Sequence, residues 1–140
     1  MKHCKKILNI LKVKYQVLII SAHRTPNRMF KFAENAEKNS FGVIVAGAGG
    51  AAHLPGMVAS LTTLPVLGVP IETKKLKGLD SLLSMVQMPK AVPIGCLAID
   101  GSFNAGLLAA SIIGNFDIKV KSNLEKWRRI QTLSIKKKPK

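Results

Sequence analysis

Two short segments of this chain combine residue types that do chemistry. The first is Ser21-Ala22-His23-Arg24-Thr25-Pro26. Histidine changes charge near neutral pH, so an imidazole there can exchange a proton with a substrate atom. The Arg24 guanidinium is a planar fork suited to phosphate. The Ser21 hydroxyl can donate to a phosphate or carboxylate oxygen. The second segment runs from Ala46 through Gly47, Ala48, Gly49, Gly50, Ala51, Ala52, His53, Leu54 and Pro55 to Gly56. Such a loop strips side chains away, so that backbone N–H groups can face an anion or a flat ring. It is not a Walker loop, because no Gly-Lys-Ser/Thr follows, and it does not fit the dinucleotide G-x-G-x-x-G pattern. Read by spacing alone, the loop serves equally well as a tight turn beside a packed helix. His23 would then be an ordinary surface histidine, and His53 a hydrogen-bonding residue at a helix start.

Other reactive types fall in no useful pattern. His3 has no partner spacing, and Glu72 and Asp80 do not form a carboxylate pair. Met85 and Met88 suit a core or an interface. Cys4 and Cys96 match neither a metal-ligand nor a CxxC spacing, so a reducing compartment is expected and a disulfide is not.

Both segments must be held by regular elements. Residues 4–12 have helical apolar spacing in Ile7, Leu8 and Leu11. Residues 15–21, YQVLIIS, suit a buried strand. Thr25-Pro26 reads as an N-cap and first turn, opening a helix that ends near Asn39. FGVIVAG, PVLGVPI and VPIGCLAI read as further strands. PGMVASLT, GLDSLLSMVQ and NAGLLAASIIGN read as the helices between and after them. In GLDSLLSMVQ, Leu79, Leu82, Leu83 and Val86 share one side. A last amphipathic helix covers DIKVKSNLEKWRRIQTL, with Val120, Leu124, Trp127 and Ile130 apolar. Strands alternating with helices predict an α/β fold with a parallel, doubly wound sheet. In such a sheet, ligands bind beyond the carboxyl ends of strands, where both candidate segments lie.

The length of 140 residues suits one domain with a real core. With aromatics at 5%, that core must be built from Ile, Leu, Val and Ala. The net charge of +15 raises a nucleic-acid reading. Residues 1–14 hold five Lys and no acid, and residues 119–140 hold nine basic residues against Glu125, so the middle is nearly neutral. No basic face interleaved with aromatics emerges, so no nucleic-acid partner is expected. The ends read as solvated, and a basic protein still attracts a phosphorylated metabolite at long range. No apolar run is long enough to cross a membrane. Lys12 and Lys14 interrupt what would be the apolar part of an export signal, so export is not expected.

Taken in order, SAHRTP, AGAGGAAHLPGM, LPVLGVP, SMVQMPKAVPIG and NAGLLAA resemble the PurE family over about residues 4–133. That resemblance implies a flavodoxin-like three-layer α/β/α sandwich over residues 1–133, followed by a basic tail at 134–140. It implies purine biosynthesis, with 5-carboxyamino-1-(5-phospho-D-ribosyl)imidazole converted to 5-amino-1-(5-phospho-D-ribosyl)imidazole-4-carboxylate. It implies a cytoplasmic homo-octamer with sites between subunits, a ribonucleotide substrate, and no metal or organic cofactor. An enzyme that supplies the carboxyamino substrate is a further implied partner. The family's catalytic histidine falls on His23 and its phosphate-contacting arginine on Arg24. Ser21 and Ala22 line the same loop. The pocket positions of the second motif fall on Ala48, Gly49, Gly50, His53 and Leu54. Arg after His resembles the mutase class, whereas the class that takes carbon dioxide directly more often carries Lys.

Family members open with a strand and a GSxSD-like loop that supplies Ser and Asp to the ribose-phosphate. Neither is found here. The expectation is therefore a sheet lacking its first strand, in a product whose start lies upstream. A truncated binding protein without catalysis is the alternative.

Overall fold

The computed structural model describes residues 1–137. Apolar residues spaced three and four apart begin the chain, and they form helix α1, Lys2–Ile10, which buries Cys4, Ile7 and Leu8. Helix α2 spans Pro26–Asn35 and turns Met29 and Ala33 inward. Strand β1, Ile44–Gly49, is followed by the short helix α3, Leu54–Ala59. Strand β2, Val66–Ile71, leads to helix α4, Leu79–Val86. Strand β3, Gly95–Cys96, leads to helices α5, Ser102–Ile113, and α6, Ile118–Ser134.

The sheet is parallel, in the order β1-β2-β3. Ile44 lies beside Val66 and Gly49 beside Ile71, and Leu67 and Gly68 pair with Gly95 and Cys96. Helices α3 and α4 pack on β1 and β2, as does α5, which carries α1 and α6. The three-layer α/β arrangement is thus formed. One apolar cluster joins Ala22, Met29, Ala33 and Ala36 to Ile44, Val58 and Val66. Two others join α1 to α5, through Ile7, Leu11 and Ala110 and through Cys4, Leu8 and Ala109.

The α1–α5 contact depends on Gly106. A Cβ there would collide with the Ile7 side chain and stand 3.2 Å from the Cys4 carbonyl oxygen. Overpacking of this kind costs about 1–3 kcal/mol. Gly106→Val is therefore expected to lower the denaturant midpoint of unfolding with an unchanged slope. Helix α6 begins on a true side-chain cap. Asp117 accepts from the backbone N–H of Lys119 at 2.8 Å and of Val120 at 3.2 Å. Asp117→Ala should cost about 1 kcal/mol, read in the same unfolding experiment.

Burial pushes the Cys4 thiol above its ordinary 9.0, against a smaller downward pull from the amino-terminal charge, and burial also raises Cys96. The fold therefore favours the neutral thiols. That contribution is complete below pH 9.0 and is lost as the pH rises through the raised values.

Several expectations are corrected. Residues 15–20 are not a buried strand: they form no ladder, and Ile19 is 87% exposed. A strand requires a hydrogen-bonding neighbour as well as apolar side chains, and β1 pairs with β2 alone among the described residues. Arg28 Nη1 instead donates to the Ile19 carbonyl oxygen at 2.8 Å. The glycine-rich loop starts later than expected, because Ala48 and Gly49 remain in β1 opposite Pro70 and Ile71. The strand expected over VPIGCLAI shrinks to Gly95–Cys96 before the chain bends at Asp100, which has φ +53°. Helix α4 faces the other way from its leucine pattern. Ser81 and Met85 are buried, whereas Leu79, Leu83 and Val86 are about half exposed. Ile130 is likewise exposed on α6. Of the basic tail, residues 138–140 lie outside the described residues.

Candidate active site

Core packing brings the two sequence segments together. Ala22 is buried among Met29, Ala33, Ile44 and Val58, so it pins the residue 21–25 turn beneath β1 and α3. Helix α2 packs on α3, the helix that follows the glycine-rich loop. The turn and the loop therefore meet beyond the carboxyl end of β1.

The turn is closed by Thr25. Its N–H donates to the Ser21 carbonyl oxygen at 2.9 Å. Its hydroxyl donates to that same oxygen at 3.0 Å and accepts from the Ser21 N–H at 2.8 Å. Thr25 sits at the N-cap position of α2, but its side chain makes no cap bond, being committed to the turn. The Ser21 hydroxyl oxygen accepts from the N–H and Nε–H of Arg24, both at 3.3 Å. This tether steers an exposed guanidinium. Among the described residues neither Nη of Arg24 has a protein partner, so the outer edge of the fork is open to an anion.

His23 reaches across to the second loop. Its Nε2 lies 2.9 Å from Nδ1 of His53, with ring centroids 5.0 Å apart and planes at 87°. One nitrogen must carry the proton and the other accept it, so the contact holds only if the two tautomers are matched. Both imidazoles are exposed. The pair can therefore hold a proton at a defined place and pass it to a bound molecule.

The glycine-rich loop turns at Gly50, whose φ of +71° disfavours any side chain. A Cβ there would meet nothing within 4 Å, so space is left in front of it. Behind it, the Ser81 hydroxyl accepts the Gly50 N–H at 2.8 Å and donates to the Ile71 carbonyl oxygen at 2.8 Å. The Ser84 hydroxyl donates to the carbonyl oxygens of Asp80 at 2.7 Å and Gly50 at 3.3 Å. Asp80 in turn accepts from Thr73 at 3.0 Å.

The structure thus gathers Ser21, His23, Arg24, Gly50 and His53 at one end of the sheet. Ala48 and Gly49 are the last strand residues beside them. Ala22 faces the core, and Leu54 packs against the same apolar cluster, so these two can offer a ligand little beyond backbone. Sequence reasoning gives Thr25 only as a helix N-cap, and it missed Ser81 and Ser84. Burial of Met85 one turn after Ser81 was the available signal, since residues four apart share a helix face. Among the described residues, no three His, Cys, Asp or Glu side chains lie together as a metal site would require. No helix among them is long and apolar enough to cross a membrane.

The model of one protein family, described as AIR carboxylase, matches residues 1–133. The chain is 54% identical over 134 residues to the N5-carboxyaminoimidazole ribonucleotide mutase of Haemophilus influenzae, covering 94% of this chain and 82% of that one. It is 50% identical over 141 residues to the mutase of Escherichia coli K12, covering 99% and 83%. The mutase of Thermotoga maritima is 55% identical over 133 residues, covering 92% and 78%. In three dimensions the fold is similar to the crystal structure of Treponema denticola PurE, with a TM-score of 0.82, 19% identity, and coverage of 94% and 82%.

Proposed function

Because the chain belongs to the AIR carboxylase family, we propose that it is an isomerase of purine biosynthesis. It converts 5-carboxyamino-1-(5-phospho-D-ribosyl)imidazole to 5-amino-1-(5-phospho-D-ribosyl)imidazole-4-carboxylate. The observation that carries this reading is identity of 50–55% to named mutases over nearly the whole chain.

The reaction moves one carboxylate and balances its own protons. The N–C bond breaks and releases carbon dioxide, and the nitrogen gains a proton. The neighbouring ring carbon then bonds to the carbon dioxide and loses its proton. One imidazole can deliver and recover that proton, and His23 is the group suited to do so. Its contact with His53 holds the ring toward the glycine-rich loop. Arg24, steered by Ser21, anchors the phosphate, so that binding far from the ring sets the ring's position. The loop from Ala48 through Gly50, with His53 and the Leu54 and Ala22 backbones, forms the remaining wall.

Carbon dioxide must stay beside the ring, away from water. His23, Arg24, Ala51 and His53 are all exposed in the single chain, so another surface has to cover them. The half-exposed stripe of Leu76, Leu79, Leu83 and Val86 on and before α4 is the kind of surface that self-association removes from water. A homo-oligomer, with the octamer as its expected size, follows from this reading. A cytoplasmic location suits the two free thiols, Cys4 and Cys96. Residues 1–133 act as one domain. The charge at the two ends is not assigned to nucleic acid, and an enzyme making the labile carboxyamino substrate is the natural neighbour.

The test supplies the purified chain with the carboxyamino substrate, or with aminoimidazole ribonucleotide plus bicarbonate. Conversion of the first at far lower substrate concentration supports the mutase. Conversion of the second alone would make it a direct carboxylase. No conversion of either, with substrate still bound, would mean a binding protein.

A further inference from the structure

We infer that Ser81 on α4 is a positioning residue of the reaction, locking the glycine-rich loop in its working shape. The inference rests on the function proposed above and assigns a role to a side chain outside the two motifs.

Ser81 is fully buried, one of two buried polar side chains among the described residues. A buried hydroxyl is costly unless both its donor and its acceptor are used. Here both are used, and both run to the ends of strands. The hydroxyl oxygen accepts from Gly50, the first residue past β1. The hydroxyl proton goes to the carbonyl oxygen of Ile71, the last residue of β2. One side chain therefore ties the carboxyl ends of two strands to α4 at the edge of the site.

Ser84, one turn along the same helix, takes the other polar group of Gly50. Its single hydroxyl proton is shared between the Asp80 carbonyl oxygen at 2.7 Å and the Gly50 carbonyl oxygen at 3.3 Å. With the N–H held by Ser81 and the carbonyl drawn more weakly toward Ser84, rotation of the two peptide planes flanking Gly50 is restrained. A trans peptide directs its N–H opposite to its carbonyl. Holding the Gly50 carbonyl toward α4 therefore directs the Ala51 N–H away from α4. Gly50 has φ +71°, a conformation glycine shares with several others at little cost. Left alone, the loop would sample them, and the clamp on α4 selects one. Asp80 supports the clamp from its other side, accepting from Thr73 and from the Ser81 N–H at 3.0 Å. His53 comes three residues after Gly50, so the orientation set there carries into the His23–His53 contact.

The geometry separates binding from chemistry. The phosphate is anchored on Arg24, in the other loop, so loss of the clamp should leave substrate affinity nearly intact. It should disorder the wall against which the ring and the carbon dioxide react, and misplacement by about 1 Å can cost about 100-fold. The test compares the unaltered chain with Ser81→Ala and Ser84→Ala. For Ser81→Ala the expected result is a kcat about 10–100-fold lower with KM changed by less than about threefold. Exchange of the Gly50 backbone N–H, followed by NMR, should quicken by at least about tenfold. Ser84→Ala, at a partly buried position that suits alanine, keeps the fold and should give a smaller loss of kcat, and this variant carries the test if Ser81→Ala does not fold. Unchanged kcat in folded variants, with only a lower melting temperature, would overturn the positioning role. Absence of turnover in the unaltered chain would overturn the proposed reaction instead. The exchange of Gly50 would then decide the clamp by itself, and an unchanged rate in Ser81→Ala would overturn it.

Discussion

Replacement of His23 by Asn is expected to lower kcat by about 100- to 10,000-fold, the range that a positioned acid/base contributes. Asparagine is close in size, but its amide is too short to stand where Nε2 of His23 does, 2.9 Å from Nδ1 of His53. It cannot take up and return a proton. The substitution therefore removes the proposed acid/base group, and the contact to His53 with it, at little change in volume. His23 is exposed and contributes to none of the apolar clusters, so the melting temperature should change little. KM should move less than kcat if the phosphate is held by Arg24, as proposed. Turnover by His23→Asn at the unaltered rate would remove His23 from the catalytic role and direct attention to His53.

Arg24→Ala should produce the next largest effect, and of the opposite kind. A hydrogen bond to a charged partner contributes about 1.5–3 kcal/mol, which corresponds to an increase in KM of about 10- to 100-fold. In this chain the guanidinium is steered by one contact, from Arg24 Nε to the Ser21 hydroxyl at 3.3 Å, and it faces solvent at the site's edge. Arg24→Lys should recover part of the loss, since an ammonium keeps the charge but not the planar fork. Titration with a non-reacting ribonucleotide phosphate would report the same difference as weaker binding. Equal affinity in Arg24→Ala would place the phosphate elsewhere, and the basic segments at the chain ends would become the alternatives.

The two effects separate because the two residues sit on different structural supports. His23 makes a contact across space to a residue 30 positions away. Arg24 sits on a turn closed within five residues, by Ser21 and Thr25. The local turn is legible in the chain, since serine and threonine at that spacing hold turns readily. The cross-loop pair is not, because nothing local determines which histidine another will meet.

The same division runs through the whole molecule. The alternation of apolar runs with helical spacing by itself determined the α/β class, the order of the helices and of three strands, and the strand-end position of the glycine-rich motif. It did so because hydrophobic period and turn chemistry are properties of neighbouring residues. The ordered motifs are also enough to indicate the family. Pairing and facing were settled only in three dimensions. YQVLII has the composition of a buried strand yet lies exposed, because a strand exists only with a neighbour to bond. Leu79 and Leu83 of α4 point outward and Ser81 inward, where its hydroxyl finds two partners at the strand ends. Ser81 and Gly50 stand 31 residues apart in the chain and 2.8 Å apart in the fold. Contacts at such separations arise from how layers pack, and no local pattern in the chain records them.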